Sequence, residues 1–141
     1  IYKELIYSGL NPSLFSKNEF KIDYSNKINL IDEIGYLENL FSLGNIAFIG
    51  GSLIPRGGQN FLEAVKFSLP ISSGKSFYNF QEIAEDLISL GILEVADSAD
   101  EIKDIWEKQL SFASSKISKK TEDYLKERQG SSARAFEHLP L

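Results

Sequence analysis

From residue 28 onward, short apolar runs alternate with longer segments of helical period. Ile28–Ile31 precedes Ile34–Leu43, Ile46–Ile49 precedes Asn60–Phe67, Pro70–Ser72 precedes Asn79–Leu90, and Ile92–Val95 precedes Ala99–Leu110. Such strand–helix alternation predicts a parallel sheet with helices on both faces. The continuous apolar run Ile46-Ala47-Phe48-Ile49 fits a strand buried on both sides. Punctuation supports the helices. Asn79 can cap a helix with the stripe Phe80, Ile83, Ala84, Leu87 and Ile88, closed by Gly91, and Asp97 or Ser98 can cap the next. Upstream, residues 1–10 read as the end of a helix closed by Gly9, and the polar residues 11–27 as a loop. Residues 111–129 are rich in Ser and Lys, with Ile117, Tyr124 and Leu125 as sparse apolar positions, which predicts a solvated helix packed along one edge.

Composition narrows the class. The 141 residues suit one compact domain or a large piece of one, and 43% hydrophobic with 25% charged residues permits an ordinary core. Fifteen basic against twenty acidic side chains give a net charge of -5. Nucleic acid is therefore a poor partner, because phosphate backbones require a dominant cationic surface. With no cysteine, disulfides and thiolate metal sites are excluded. No apolar run approaches the roughly 20 residues of a membrane span, and the start Ile1-Tyr2-Lys3-Glu4 is unlike a signal peptide. The chain contains no methionine at all, and the expectation is a piece of a longer protein whose missing part lies upstream.

The informative stretch runs from Gly50 to Ala64. It leaves a predicted buried strand, passes four glycines (Gly50, Gly51, Gly57, Gly58) and enters a predicted helix at Asn60. Ligands of open α/β sheets bind at this end of the strands. Glycines let the backbone turn sharply and approach a ligand closely, and N–H groups opening a helix can donate to phosphate oxygens. Glu63 is placed to accept from the paired hydroxyls of a ribose. A structural alternative is a tight turn in which Asn60 caps the helix and Glu63 completes a capping box. The glycine spacing matches neither the dinucleotide fingerprint nor the P-loop.

Taken together, Asp32-x-x-Gly35-x-Leu37, Gly50-Gly51-Ser52-Leu53, Gly57-Gly58-Gln59-Asn60-x-Leu62-Glu63, Pro70 and Asn79-Phe80 resemble, in order and spacing from about residue 28 to residue 110, the 3-deoxy-D-manno-oct-2-ulosonic acid (Kdo) transferases. The resemblance implies the C-terminal portion of a GT-B glycosyltransferase: an α/β, Rossmann-like parallel sheet flanked by helices, with about four strands present. Residues 1–141 would form a single, incomplete nucleotide-sugar-binding domain. The implied reaction transfers Kdo from CMP-Kdo to a lipid A precursor in lipopolysaccharide biosynthesis, at the cytoplasmic face of the bacterial inner membrane, without a cofactor or metal. Carried over by position, the nucleotide-binding residues are Ile34, Gly35 and Tyr36, then Gly57, Gly58, Asn60, Phe61, Leu62 and Glu63. Three departures stand out. Tyr36 occupies the position of a usual acidic residue, Gln59 that of a histidine, and Gly74-Lys75-Ser76 that of a Gly-Pro-His segment.

The resemblance puts the catalytic base and the acceptor site on the absent N-terminal domain, and gives the membrane contact to the full-length protein. No catalytic residue is assigned in this chain, which is expected to be inactive alone. Other readings are a GT-B enzyme using a UDP-sugar (transferase or epimerase), a non-catalytic nucleotide-binding module, and a structural fragment with no ligand. Further candidates are Asp32, orienting the Gly35 loop or capping a helix, and Arg56 and Lys75, meeting a phosphate or solvated. Trp106 reads as core and His138 as a surface residue. The cluster Lys116, Lys119, Lys120, Lys126 and Arg128, interleaved with Glu122, Asp123 and Glu127, reads as a solvated face. In Rossmann strand order the Ile46–Ile49 strand is left with an unpaired edge, which invites cover from another segment or chain.

Overall fold

The computed structural model describes residues 1–111 and 115–137, with side chains described for 1–111 and 117–128. His138 lies outside the described residues. Two compact units are present, Ile1–Leu40 and Phe41–Leu141.

In the first unit, helix α1 (Tyr2–Tyr7) ends at Ser8, followed by Gly9 at φ 76°. Gly9 N–H donates to the Ile6 carbonyl and Leu10 N–H to that of Leu5, both at 3.0 Å. This reciprocal pair satisfies the last carbonyls and requires a left-handed residue, hence glycine. Strand β1 (Ser13–Leu14) pairs in parallel with β2 (Asn29–Leu30). Residues 11–27 are therefore not all loop: they hold β1 and a 3-10 turn, Phe15–Lys17. Only two residues long and half polar, β1 carries too little alternation to read as a strand. The predicted strand at Ile28–Ile31 exists, but pairs with β1 in a sheet of its own. Asp32 clamps the 3-10 turn: its carboxylate accepts from Ser16 N–H at 2.9 Å and Ser16 Oγ at 2.6 Å. These hydrogen bonds hold the Asp32 carboxyl below the ordinary aspartate range. Phe15 is buried, packed edge-on against Tyr36 and Phe20.

The second unit is the predicted alternation. After α2 (Leu37–Phe41), which begins in the first unit, come β3 (Ala47–Ile49), α3 (Leu62–Val65), β4 (Ile71–Ser73), α4 (Gln81–Ser89), β5 (Leu93–Val95), α5 (Ala99–Ser111) and α6 (Ser115–Glu137). The three strands form a parallel sheet in the order β3-β4-β5, with Ala47 opposite Ile71 and Ile71 opposite Leu93. β4 is central and wholly buried, β3 lies at one edge, and the core gathers Phe61, Ala64, Val65, Ile71, Ala84, Leu87, Ile92 and Leu93 around them. Sheet order leaves one side of β3 unpaired among the described residues, as strand order alone anticipates.

Helix α4 closes as expected: Gly91 sits at φ 66°, with Gly91 N–H on Ile88 O and Ile92 N–H on Leu87 O, both at 2.9 Å. Its start differs from expectation. Asn79 lies within a 3-10 turn, Tyr78–Phe80, and makes no capping bond; its side chain lies against Gly57 instead. Ser98 is the cap of α5, its Oγ accepting from Glu101 N–H at 3.2 Å while Glu101 returns a bond to Asp97 N–H at 2.7 Å. Trp106 is not core: 37% exposed, it lies edge-on to Phe48 and donates from Nε1 to the buried Ser72 Oγ at 2.8 Å. Proximity to a strand hydroxyl holds the indole half out of the core. In the basic segment, Lys120 donates to the last-turn carbonyl of Leu90 at 2.6 Å, and Arg128 bonds the Tyr124 hydroxyl and, at 3.3 Å, Asp86. These two cations fasten α6 to α4, while Lys119 and Lys126 are exposed.

Two outcomes follow. Phe61→Ala should lower unfolding free energy by about 3–5 kcal/mol, the usual cost of emptying a fully buried aromatic site, read by thermal or denaturant melting; a loss under about 1 kcal/mol would contradict the packing. In an NMR pH titration, Asp32 should stay ionised below the range of an ordinary aspartate, and Ser16→Ala should raise its pKa part of the way back, because the bond from residue 16 N–H remains. Because the folded value is depressed, the Asp32–Ser16 clamp is at full strength above the unfolded value and is lost as pH falls through the folded one.

Candidate functional site

At the C-terminal ends of β3 and β4, two loops are laced together by short hydrogen bonds. Ser52 Oγ, buried, donates to Ile49 O at 2.5 Å and accepts from Gly74 N–H at 2.8 Å. Ser52 O accepts from Ser76 N–H at 2.9 Å. A Cβ on Gly74 would stand 2.3 Å from Ser52 O, so the strand-to-strand approach exists only because residue 74 is glycine. Further along, Gly57 N–H donates to Ser76 Oγ at 3.1 Å and Gly58 N–H to Gly51 O at 3.2 Å. Gly57 and Gly58 are left-handed, at φ 85° and 73°, and buried.

The glycine loop therefore acts differently from the sequence expectation. The N–H groups of Gly57 and Gly58 are engaged with protein, so these residues shape the loop rather than offer donors. Leu62 N–H is also taken, by Asn60 Oδ1 at 3.0 Å. The backbone N–H groups of Phe61 and Glu63 have no hydrogen-bond partner among the described residues. Helix α3 is one turn long and begins at Leu62, not at Asn60, so its dipole adds little. Asn60 bonds the turn, but Glu63 does not close a capping box.

The inner and outer members of Asn60-Phe61-Leu62-Glu63 differ in surroundings. Phe61 is 0% exposed, edge-on to Phe77 and Phe80, and Leu62 packs against the same core. Of the residues carried over here as nucleotide-binding, the side chains of Phe61 and Leu62 anchor the turn. Asn60 and Glu63 are half-buried, and Glu63 makes no hydrogen bond or ion pair with any described residue. A carboxylate held by two core anchors and left unpartnered is suited to accept from a pair of ligand hydroxyls.

Beside the laced loops opens a cleft of ≈ 310 Å³, lined by Ser52, Leu53, Ile54, Pro55, Lys75, Ser76, Ala96 and Asp97. Lys75 is not simply solvated: it donates to Asp97, whose hydrogen bond and charge hold the ammonium above its ordinary range. Arg56 is exposed and has no ion pair among the described residues.

The other expected segment belongs to the first unit. Ile34 is 100% exposed, and Gly35 stands at φ 95° with open space around it, an exposed turn. Tyr36 is half-buried, stacked on Phe20 at 6.4 Å and edge-on to Phe15 at 4.9 Å. Its ring is committed to local packing, and it replaces an acid with an aromatic anchor. The Asp32 carboxylate is occupied by Ser16 and does not serve the Gly35 loop. Ser52 and Ser76 stand in the quoted motif segments without an assigned role; in the structure their hydroxyls lace the two loops together.

No family model matches the chain. It is 40% identical over 78 residues to 3-deoxy-D-manno-octulosonic acid transferase of Haemophilus influenzae, covering 55% of this chain and 18% of that protein. It is 36% identical over 63 residues to the enzyme of the same name from Chlamydophila psittaci, covering 44% of this chain and 14% of the relative. A bifunctional glycosyltransferase/methyltransferase of Fusobacterium nucleatum is 38% identical over 61 residues, covering 43% of this chain and 10% of the relative. The matches thus span less than a fifth of each of these proteins. Among solved structures, the C-terminal CMP-Kdo binding domain of WaaA from Acinetobacter baumannii superposes with a TM-score of 0.80 at 28% identity, covering 88% of this chain and 65% of that one. In sequence and in fold, the chain is a homologue of the C-terminal part of the Kdo transferases, with the architecture of the C-terminal domain of a GT-B glycosyltransferase.

Proposed function

We propose that this chain is the donor-gripping part of an enzyme that transfers Kdo from CMP-Kdo to a lipid A precursor, working at the cytoplasmic face of the bacterial inner membrane. The observation that carries the proposal is the pair Asn60 and Glu63. Both are half-exposed on a turn that Phe61 and Leu62 fix to the core, beyond the C-terminal end of a parallel strand. The resemblance of this turn to the Kdo transferase motif and the likeness to a CMP-Kdo binding domain both support it.

In this reading Glu63 accepts from the ribose hydroxyls of CMP. Asn60 holds the turn through Leu62 N–H, and the N–H groups of Phe61 and Glu63 are available to phosphate. Gly57 and Gly58 keep side chains away from the nucleotide. CMP departs as displacement occurs at the anomeric carbon, and donors fixed before the reaction stabilise the leaving phosphate without reorganising. The base that takes the acceptor proton and the lipid contact belong to the rest of a longer protein, so the chain alone binds donor without turnover. Among the described residues no helix is long and apolar enough to cross a membrane.

Titrating the 141-residue chain with CMP and with UDP tests the proposal. CMP is expected to bind and UDP to bind more weakly. Glu63→Gln should weaken CMP binding about tenfold, the equivalent of one charged hydrogen bond, without moving the melting temperature. Preference for UDP would favour a UDP-sugar enzyme, and unchanged CMP affinity in Glu63→Gln would remove the ribose assignment.

A further inference from the structure

The hydroxyl of Ser76 is spoken for on one side only. Its oxygen accepts from Gly57 N–H at 3.1 Å, which fixes where the oxygen sits and which lone pair is used. Its own backbone N–H is tied to Ser52 O at 2.9 Å, so the residue cannot drift. The hydroxyl proton has no acceptor among the described residues, although the residue is half-buried and lines the ≈ 310 Å³ cleft. Ser52, on the facing loop, is the contrast: its hydroxyl both donates and accepts within the protein and is fully used. A hydroxyl is one donor and two acceptor sites. With one acceptor site held by a backbone N–H, the hydroxyl proton remains available to a ligand in the cleft that Ser76 lines.

The neighbouring charge favours an anion there. Lys75 lines the same cleft, and its ammonium is shared with only one carboxylate, Asp97, in an exposed pair. Such pairs contribute little and re-form easily, so an entering anionic oxygen can share Lys75 while taking the Ser76 proton.

We infer that Ser76 is a donor-reading residue: held by Gly57 N–H, it donates its hydroxyl proton to an anionic oxygen of the bound nucleotide-sugar, either the phosphate or the sugar carboxylate. This rests on the proposed nucleotide-sugar site and adds a contact to it. It also makes Ser76 the link between that contact and the glycine loop leading to Asn60. An anion that accepts from Ser76 polarises the hydroxyl and strengthens the hydrogen bond it accepts from Gly57 N–H.

The test measures affinities of cytidine, CMP and CMP-Kdo for the unchanged chain and for the Ser76→Ala and Ser76→Thr variants, with melting temperatures alongside. Ser76→Ala should lose about tenfold or more in CMP affinity if the phosphate is read, or in CMP-Kdo affinity alone if the carboxylate is read, the size expected of a hydrogen bond to a charged group. In both cases cytidine binding is unchanged, and Ser76→Thr, which keeps the hydroxyl, restores affinity. Equal losses for cytidine and CMP would make Ser76 a loop brace only and overturn the inference, as would three affinities unmoved by Ser76→Ala. If the unchanged chain binds none of the three, the nucleotide-sugar reading itself fails and this inference falls with it.

Discussion

Where β3 and β4 leave the sheet, the backbone of Ser52 passes so close to residue 74 that no side chain fits between them. The carbonyl of Ser52 lies 2.3 Å from where a Cβ on Gly74 would be. That approach lets one hydroxyl, Ser52 Oγ, serve both strands' exits, and lets Ser52 O hold Ser76. From Ser76 the constraint passes to Gly57, and from Gly58 back to Gly51. The loop that delivers Asn60 and Glu63 is thus braced by backbone and hydroxyl groups, not by apolar contacts. Each bond is worth only about 1 kcal/mol net. Their value lies in geometry: buried donors and acceptors that must all be satisfied leave the loop few alternative paths.

Those bonds are local, while the turn they present is held from beneath. Phe61, between two aromatic rings, anchors the single turn of α3 to the core. A four-residue helix has no stability of its own, because nucleation outweighs so few hydrogen bonds. The turn exists because Phe61, Ala64 and Val65 are buried. Packing and function divide by residue: the core takes positions 61 and 62, and the solvent edge receives 60 and 63.

This division explains what the sequence made legible. The strands of the second unit were readable because Ala47–Ile49, Ile71–Ser73 and Leu93–Val95 are short runs punctuated by glycine and proline. The helix ends at Gly9 and Gly91 were readable because a left-handed closing residue is nearly always glycine. Strand β1 escaped because its pairing with β2 comes from distant residues and not from its own pattern. Asn79 read as a cap because Asn is a good one, yet the preceding 3-10 turn diverts it against Gly57. Trp106 read as core from its spacing, but its indole N–H reaches the buried Ser72 Oγ while the rest of the ring stays partly exposed. The motif pointed to the turn that carries Asn60 and Glu63. It could not tell that the glycine N–H groups are consumed internally, by Gly51 O within the loop and by Ser76 Oγ, nineteen residues away in sequence.

Charge sets the remaining terms. A chain with a net charge of -5 does not attract an anionic donor from a distance, and at physiological ionic strength exposed charges act over only about 8 Å. Recognition must then be short-range. Lys75 is partly neutralised by Asp97, and that exposed, solvent-screened pair contributes little; it guards the cleft more than it charges it. Arg56 is the exposed cation without an ion pair on the glycine loop itself. Hydrogen bonds to charged oxygens, at about 1.5–3 kcal/mol each, outweigh these screened Coulomb terms once the ligand is seated. In the proposed reading they come from the Phe61 and Glu63 N–H groups and the Ser76 hydroxyl. In the proposed reading, a rigid brace is therefore worth more to this site than additional positive charge. Short hydrogen bonds lose most of their strength when misplaced by half an ångström, whereas a screened lysine would scarcely register the shift.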